Sequence, residues 1–285
     1  MGAPRPQHKG LPVVHFEKLA CTACHSGPQP QDPAGRVKTS RAHALATTYA
    51  QKADRALPHI LYPVFARQAD GKIAPCKLIW PAFWATAQDG DEEVSPIPLN
   101  VVAPIAQRVL RRVPVPATND WPALTDEMVK QVLTALSKSD AVKGRPVYLC
   151  GGQMHGLDPQ GQLTAREHAA AAPLMWVAAH DVRPARQALG ARRCEECHEP
   201  GSPFFFGRVP VDTPMVSGQG RFRPMADFHA IDVDRVRVFG WSFVFRPWLK
   251  AIGLAACTVL AILALAFSGQ ALFRVSRALS ERGRD

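Results

Sequence analysis

The longest unbroken apolar stretch lies near the C-terminal end. Between Lys250 and Arg274 run 23 residues without a charge, among them Ile252, Leu254, Val259, Leu260, Ile262, Leu263, Leu265 and Phe267. A helix of that length measures about 34 Å, enough to cross the hydrocarbon layer of a bilayer. Trp241 and Trp248 precede it, where indole rings suit a membrane interface. The pattern predicts a transmembrane helix over 248–273 and an Arg-rich tail over 274–285. Basic residues flank both sides (Arg235, Arg237, Arg246 and Lys250 before, Arg274, Arg277, Arg282 and Arg284 after), so charge alone leaves the orientation open.

Residues 121–138 carry a different period. Val129, Val132, Leu133 and Leu136 follow the spacing of one buried helical face. Thr125 is placed as N-cap, Asp126 and Glu127 fill the first turn, and Leu124 can pack on Val129 as a hydrophobic staple. Residues 39–57 also suggest a helix, capped by Thr39 or Ser40 and closed by Pro58. Thr164-Ala165-Arg166-Glu167 has the form of a capping box, which predicts a helix kinked at Pro173 and continued through Met175 and His180. Pro184 can open a further helix that Gly190 would end.

Elsewhere regular periods fade. Residues 58–104 hold Pro58, Pro63, Pro75, Pro81, Pro96, Pro98 and Pro104 among aromatic rings, and predict irregular structure. Residues 144–163 are Gly-rich and turn-like, and Gly151-Gly152 lacks the surroundings of a phosphate loop. The expected fold is therefore mainly α with extensive irregular structure plus one C-terminal transmembrane helix. The expected organisation is a first segment over 1–57, a Pro- and aromatic-rich connection over 58–163, a second segment over 164–247, the span and the tail.

Chemistry enters with the cysteines. Cys21-Thr22-Ala23-Cys24-His25 and Cys194-Glu195-Glu196-Cys197-His198 both read C-x-x-C-H, the pattern for covalent attachment of a c-type haem. Two thiols at this spacing can add to the two vinyl groups of one porphyrin, and the adjacent imidazole can ligate the iron. Chance predicts on the order of 0.01 such motifs in a chain like this. The two expected cofactors are thus covalently attached c-type haems, held by Cys21, Cys24, Cys194 and Cys197 with His25 and His198 as proximal ligands. A four-thiolate zinc centre from the same cysteines is disfavoured, because 169 residues separate Cys24 from Cys194.

Composition fits this expectation. Of 285 residues, 26 are Pro and 20 are Gly, so a haem would supply part of the core that long regular elements supply elsewhere. The formal charge is +10. Two haems would bring about four propionate charges, leaving a mildly basic face suited to an acidic redox partner. No basic helix interleaved with aromatics is present, which argues against nucleic acid.

Spacing does not fix the distal ligands. The candidate histidines are His8, His15, His43, His59, His155, His168, His180 and His229; His180, 14 residues before Cys194, and His43, shortly after the first motif, lead, followed by His59, His155 and His15. Met154, Met175, Met215 and Met225 are further options, because haem iron also takes a thioether.

Three stretches carry a resemblance. They are Gly10-Leu11-Pro12 with His15-Phe16-Glu17-Lys18-Leu19, the first motif with Ser26-Gly27-Pro28, and Ala179-His180-Asp181-Val182-Arg183-Pro184-Ala185-Arg186-Gln187 leading into the second motif. Together they resemble the C-terminal portion of membrane-anchored multihaem cytochromes c of environmental bacteria. The resemblance implies a multihaem cytochrome architecture, hexacoordinate haems and electron transfer in a respiratory chain. It also implies further motifs upstream in a longer chain, and residues 1–10 carry no apolar leader. The expected location is the bacterial inner membrane, single-pass, with the haem-bearing part in the periplasm. Expected partners are redox proteins, among them a quinol-oxidising complex or further haem subunits. The alternative function is a multihaem reductase of a small nitrogen or sulfur oxyanion, which would need an open iron.

Overall fold

A computed structural model describes residues 8, 10–38, 59–88, 90, 93–110, 123–178 and 183–282. The elements in order are α1 (Val13–Lys18), α2 (Cys21–His25), β1 (Gly35–Lys38), β2 (His59–Arg67), β3 (Ile73–Ile79), β4 (Ala82–Ala87) and β5 (Val94–Pro96). Then come α3 (Leu99–Leu110), α4 (Asp126–Ser137), β6 (Arg145–Cys150), β7 (Gln153–Leu157), β8 (Leu163–Glu167) and β9 (Leu174–Val177). The last are α5 (Glu195–His198), α6 (Pro203–Phe206), β10 (Arg208–Pro210), β11 (Phe222–Pro224), α7 (Met225–His229) and α8 (Val233–Arg282).

The expectation of a mainly α fold with a cytochrome architecture is overturned. The described strands form three antiparallel sheets, ordered β1-β2-β3-β9, β5-β4-β6-β7-β8 and β10-β11. The prolines of 58–104 misled because they sit where a sheet tolerates them. Pro63 falls in the register shift between Leu61 and Val64, and Pro75 opposes Phe65 without ending β3. The flanking Ile, Leu, Val and Phe residues of β2 and β3 supply a fully buried sheet face.

Two other segments differ for local reasons. Gly151 and Gly152 both take positive φ (55° and 81°), which is the backbone a two-residue hairpin turn needs, so 145–157 becomes the β6–β7 hairpin. The apparent capping box at 164–167 is β8 instead: Thr164 pairs with Gly156, and its hydroxyl donates to the Gly156 carbonyl. Neighbouring strand pairing outweighs local helix signals here. Beyond it, Leu174–Val177 forms β9 rather than a helix, and Ala185–Gln187 is a single 3₁₀ turn.

The soluble helix is as expected. Thr125 caps α4, its hydroxyl accepting from the Met128 N–H at 3.2 Å, and Val129, Val132, Leu133 and Leu136 are buried. With Val102, Ala106 and Leu110 of α3 they pack on Trp84, Tyr148 and Cys150 of the five-stranded sheet. A separate core joins Leu61, Val64, Phe65 and Leu78 of the first sheet to Phe204, Phe205, Val209, Met225 and Phe228. The first sheet takes β1 from the N-terminal segment and β9 from beyond residue 164, so strands from across the sequence interleave.

The C-terminal helix α8 runs for 50 residues, about 75 Å at 1.5 Å per residue. It is long and apolar enough to cross a membrane, and its apolar window is not buried against the rest of the chain.

Candidate haem-binding site

Both C-x-x-C-H motifs are short helices, and each is pinned by backbone hydrogen bonds. The first is laid on β3. Leu19 forms a parallel bridge with Ile73, and the Ala20 N–H donates to the Ile73 carbonyl at 2.9 Å. Ala23 is buried in the core beneath, while Cys21 points outward and Cys24 is half-buried. In the second, Cys194 stands at the helix entrance and is exposed, and Cys197 is half-buried. The Ser202 hydroxyl donates to the Cys197 carbonyl. The three-residue spacing thus puts the two thiols of each motif along one helical edge, with the imidazole one position on.

The fold brings the motifs together. The Leu189 N–H donates to the Cys24 carbonyl, and the adjacent Gly190 N–H donates to the Glu196 carboxylate, each at 2.9 Å. Burial pushes the Cys197 thiol up to about 12, and Cys24, Glu196 and Cys194 add to the effect. Burial, followed by Cys21 and Glu196, likewise raises the Cys24 thiol. Both inner cysteines are therefore held as neutral thiols at neutral pH.

The two proximal imidazoles have different surroundings. His25 is locked into the backbone of the segment leading to the second motif. Its carbonyl accepts from the Arg183 N–H at 2.5 Å, and its Nδ1 lies 3.1 Å from the Arg183 carbonyl. A carbonyl can only accept, so Nδ1 carries the proton and Nε2 keeps a lone pair. His198 sits instead among aromatic rings, with Phe205, Phe239 and Phe243 at centroid distances of 5.4, 5.1 and 5.5 Å. Its Nδ1 is buried without a hydrogen-bond partner among the described residues. Burial and the neighbouring His15 lower its affinity for a proton.

A second histidine faces each of them. His8 Nε2 lies 3.5 Å from His25 Nε2, and the ring centroids are 5.8 Å apart at 64°. The rings of His15 and His198 are 6.0 Å apart and nearly parallel, at 17°.

The other candidates are placed elsewhere or not described. His180 and His43 lie outside the described residues. His59 is buried 3.4 Å from Asp212, and His155 is buried beside Tyr148 in the second sheet. Met154, Met215 and Met225 are in cores, the Met225 sulfur accepting from the Phe65 N–H, and Met175 is on exposed β9. His8 was among the candidates but not among those ranked, and His15 was ranked low. The available signal was two histidines in the stretch just upstream of Cys21. The Phe239–Phe243 pair, four residues apart on one helical face, carries no sequence signal that sets it apart from the apolar span beyond it.

Among the described residues, no group of three or more His, Cys, Asp or Glu side chains is placed to hold a metal ion by itself. A c-type haem asks less of the protein, two thiols and one or two axial atoms per iron. Compared with known proteins, the chain matches no family model, no curated protein and no solved structure.

Proposed function

We propose that the chain is a membrane-anchored dihaem c-type cytochrome that carries electrons. The observation that carries this reading is the meeting of the motifs: two C-x-x-C-H helices, 169 residues apart in sequence, are joined through the Leu189–Gly190 backbone. Electron exchange between two centres needs that proximity, and a chance pair of motifs has no reason to meet.

The surrounding residues suit the cofactor. Cys21, Cys24, Cys194 and Cys197 are all free thiols, and each sulfur would bond a vinyl carbon while its hydrogen passes to the other vinyl carbon. The His25 tautomer leaves Nε2 as a ligand and orients the ring through Nδ1, the usual outer partner of a metal-bound histidine. Exposed Leu11, Val13, Val14 and Phe16 offer apolar surface beside the imidazoles for a porphyrin face. Bound haem would supply the redox change, and the protein would hold, orient and shield it.

The second motif is packed on the N-terminal turns of α8, so the same helix that can enter a bilayer carries one haem site. That supports a carrier working at a membrane, with the haem-bearing part on the periplasmic side where haem attachment takes place. Exposed Arg186, Arg192 and Arg193 next to Cys194 suit docking of an acidic redox partner. This arrangement keeps the resemblance to membrane-anchored multihaem cytochromes c as the working family.

The test is expression of the full chain in cells with haem-attachment machinery. A denaturing gel should show a band that stains for haem, and intact mass should show two haems. Replacing Cys194 and Cys197 by Ala should remove one of them. An unstained band would refute the reading. Stoichiometric binding of carbon monoxide by the reduced wild-type protein would favour the reductase alternative, since a carrier keeps its axial positions filled.

A further inference from the structure

The facing imidazoles allow a specific assignment, which rests on the dihaem reading above. We infer that His8 is the distal ligand of the haem held by Cys21 and Cys24, and that His15 crosses over to be the distal ligand of the haem held by Cys194 and Cys197. Residues 8–25 then supply three of the four axial nitrogens, and His198 supplies the fourth.

Distance supports both pairs. A metal–imidazole nitrogen bond is about 2.0 Å, so two ligands across one iron hold their nitrogens about 4 Å apart. His8 Nε2 and His25 Nε2 stand 3.5 Å apart, and a shift of about 0.5 Å would admit the metal. Adding about 1.1 Å from each nitrogen to its ring centre gives a centroid separation of about 6 Å for such a pair. The observed values are 5.8 Å for His8–His25 and 6.0 Å for His15–His198. The near-parallel His15 and His198 rings, 6.0 Å apart, are within the range of offset stacking, and the same separation fits two imidazoles across one iron.

The crossover also explains α1. This six-residue helix buries none of its residues in the protein core. Its fixed points are few: the His15 N–H donates to the Pro12 carbonyl, the Leu19 N–H donates to the His15 carbonyl, and Lys72, from the turn before β3, donates to the Phe16 carbonyl at 3.0 Å. A helix with 70% of Val13 exposed has little protein packing to hold it. Ligation at His15, between the two motifs, would supply that hold. The more obvious pairing by sequence, His15 with the nearby His25, is not what the fold presents.

The two pairs differ in ring angle, 64° against 17°. In low-spin ferric haem, near-parallel axial imidazoles give an ordinary rhombic resonance, and strongly crossed ones give a broad, highly anisotropic signal. The wild-type protein is expected to show one of each.

The decisive experiment uses full chains that retain one haem. In Cys21→Ala/Cys24→Ala, adding His15→Ala should convert the remaining haem from low to high spin and raise carbon monoxide binding from none to one equivalent; adding His8→Ala should do neither. In Cys194→Ala/Cys197→Ala the pattern should reverse. Should the single-haem chains not fold, His15→Met in the two-haem chain should introduce a sulfur-to-iron absorption band and raise the potential of one haem only. Opening of the wrong haem would overturn the assignment, as would two haems that stay low-spin in both histidine variants. A wild-type chain that carries no haem at all would sink the dihaem reading itself, so the two failures are distinguishable.

Discussion

A Cβ placed on Gly240 would stand 2.6 Å from the carbonyl oxygen of His198. The second motif therefore lies directly on the backbone of α8, and the absent side chain makes that approach possible. Ala is usually the better helix residue by about 1 kcal/mol. At this position the sign should reverse. Gly240→Ala is expected to cost about 1–3 kcal/mol by overpacking, read as a lowered unfolding midpoint in detergent, and to disturb the spectrum of one haem only. Gly253→Ala on the same helix, where a Cβ meets nothing within 4 Å, should not lower the midpoint and should leave the spectrum unchanged.

The outer partners of His25 and His198 should separate the two potentials. His25 donates from Nδ1 to a carbonyl, which would make it the stronger electron donor to the iron of a proposed haem and favour the ferric state. His198 lies among Phe205, Phe239 and Phe243 with its Nδ1 unpartnered among the described residues. Its apolar surroundings disfavour the extra ferric charge. The haem at Cys194 is expected to have the higher potential, by about 60 mV or more, the equivalent of tenfold in a one-electron equilibrium. Redox titration of the two single-haem chains checks the order, and a reversed order would refute it.

Asp212 is a buried charge with two partners on the first sheet. Its carboxylate lies 3.1 Å from the Arg36 guanidinium and 3.4 Å from His59 Nδ1, and its side chain is fully buried. Asp212→Ala is expected to lose about 3 kcal/mol in chemical unfolding, because it leaves the half-buried Arg36 guanidinium without its counter-charge and opens a hole beside buried His59. Asp212→Asn should lose less, since it keeps the side-chain volume and a polar oxygen beside Arg36.

Acid should destabilise the protein through His229. Burial, reinforced by Arg67, lowers its value from 6.5 to about 3. In the unfolded chain the imidazole takes up a proton as pH falls below 6.5, while the folded one stays neutral. Stability is therefore complete above that value and declines toward about pH 3, with a limiting slope of about 1.4 kcal/mol per pH unit. Unfolding midpoints measured across this window should show the slope, and His229→Leu should flatten it.

Elements that announce themselves through one local signal were legible in the sequence. Thr125 with Val129, Val132, Leu133 and Leu136 marked a helix, the charge-free run after Lys250 marked another, and the cysteine spacing marked both C-x-x-C-H motifs. The sheets were not legible, because Pro63, Pro75 and Pro146 look like breakers until a bulge or a neighbouring strand accommodates them. The Thr164–Glu167 segment satisfies a helix start locally and a strand globally, and only β7 decides between them. Pairing of His15 with His198 spans 183 residues of sequence, and no spacing rule reaches that far.

Continuity of α8 has a mechanical meaning. The helix that meets the second motif at Gly240 continues through Pro247, which leaves one backbone hydrogen bond unmade, to the start of the charge-free run at Lys250, a rise of about 15 Å over ten residues. On the proposed dihaem reading it would act as a ruler and an axle together, setting the altitude of one redox centre above the lipid and the compass direction in which that centre faces. Two extra residues would lift the centre by about 3 Å and swing it through about 200°, turning it away from any donor arriving along the membrane plane.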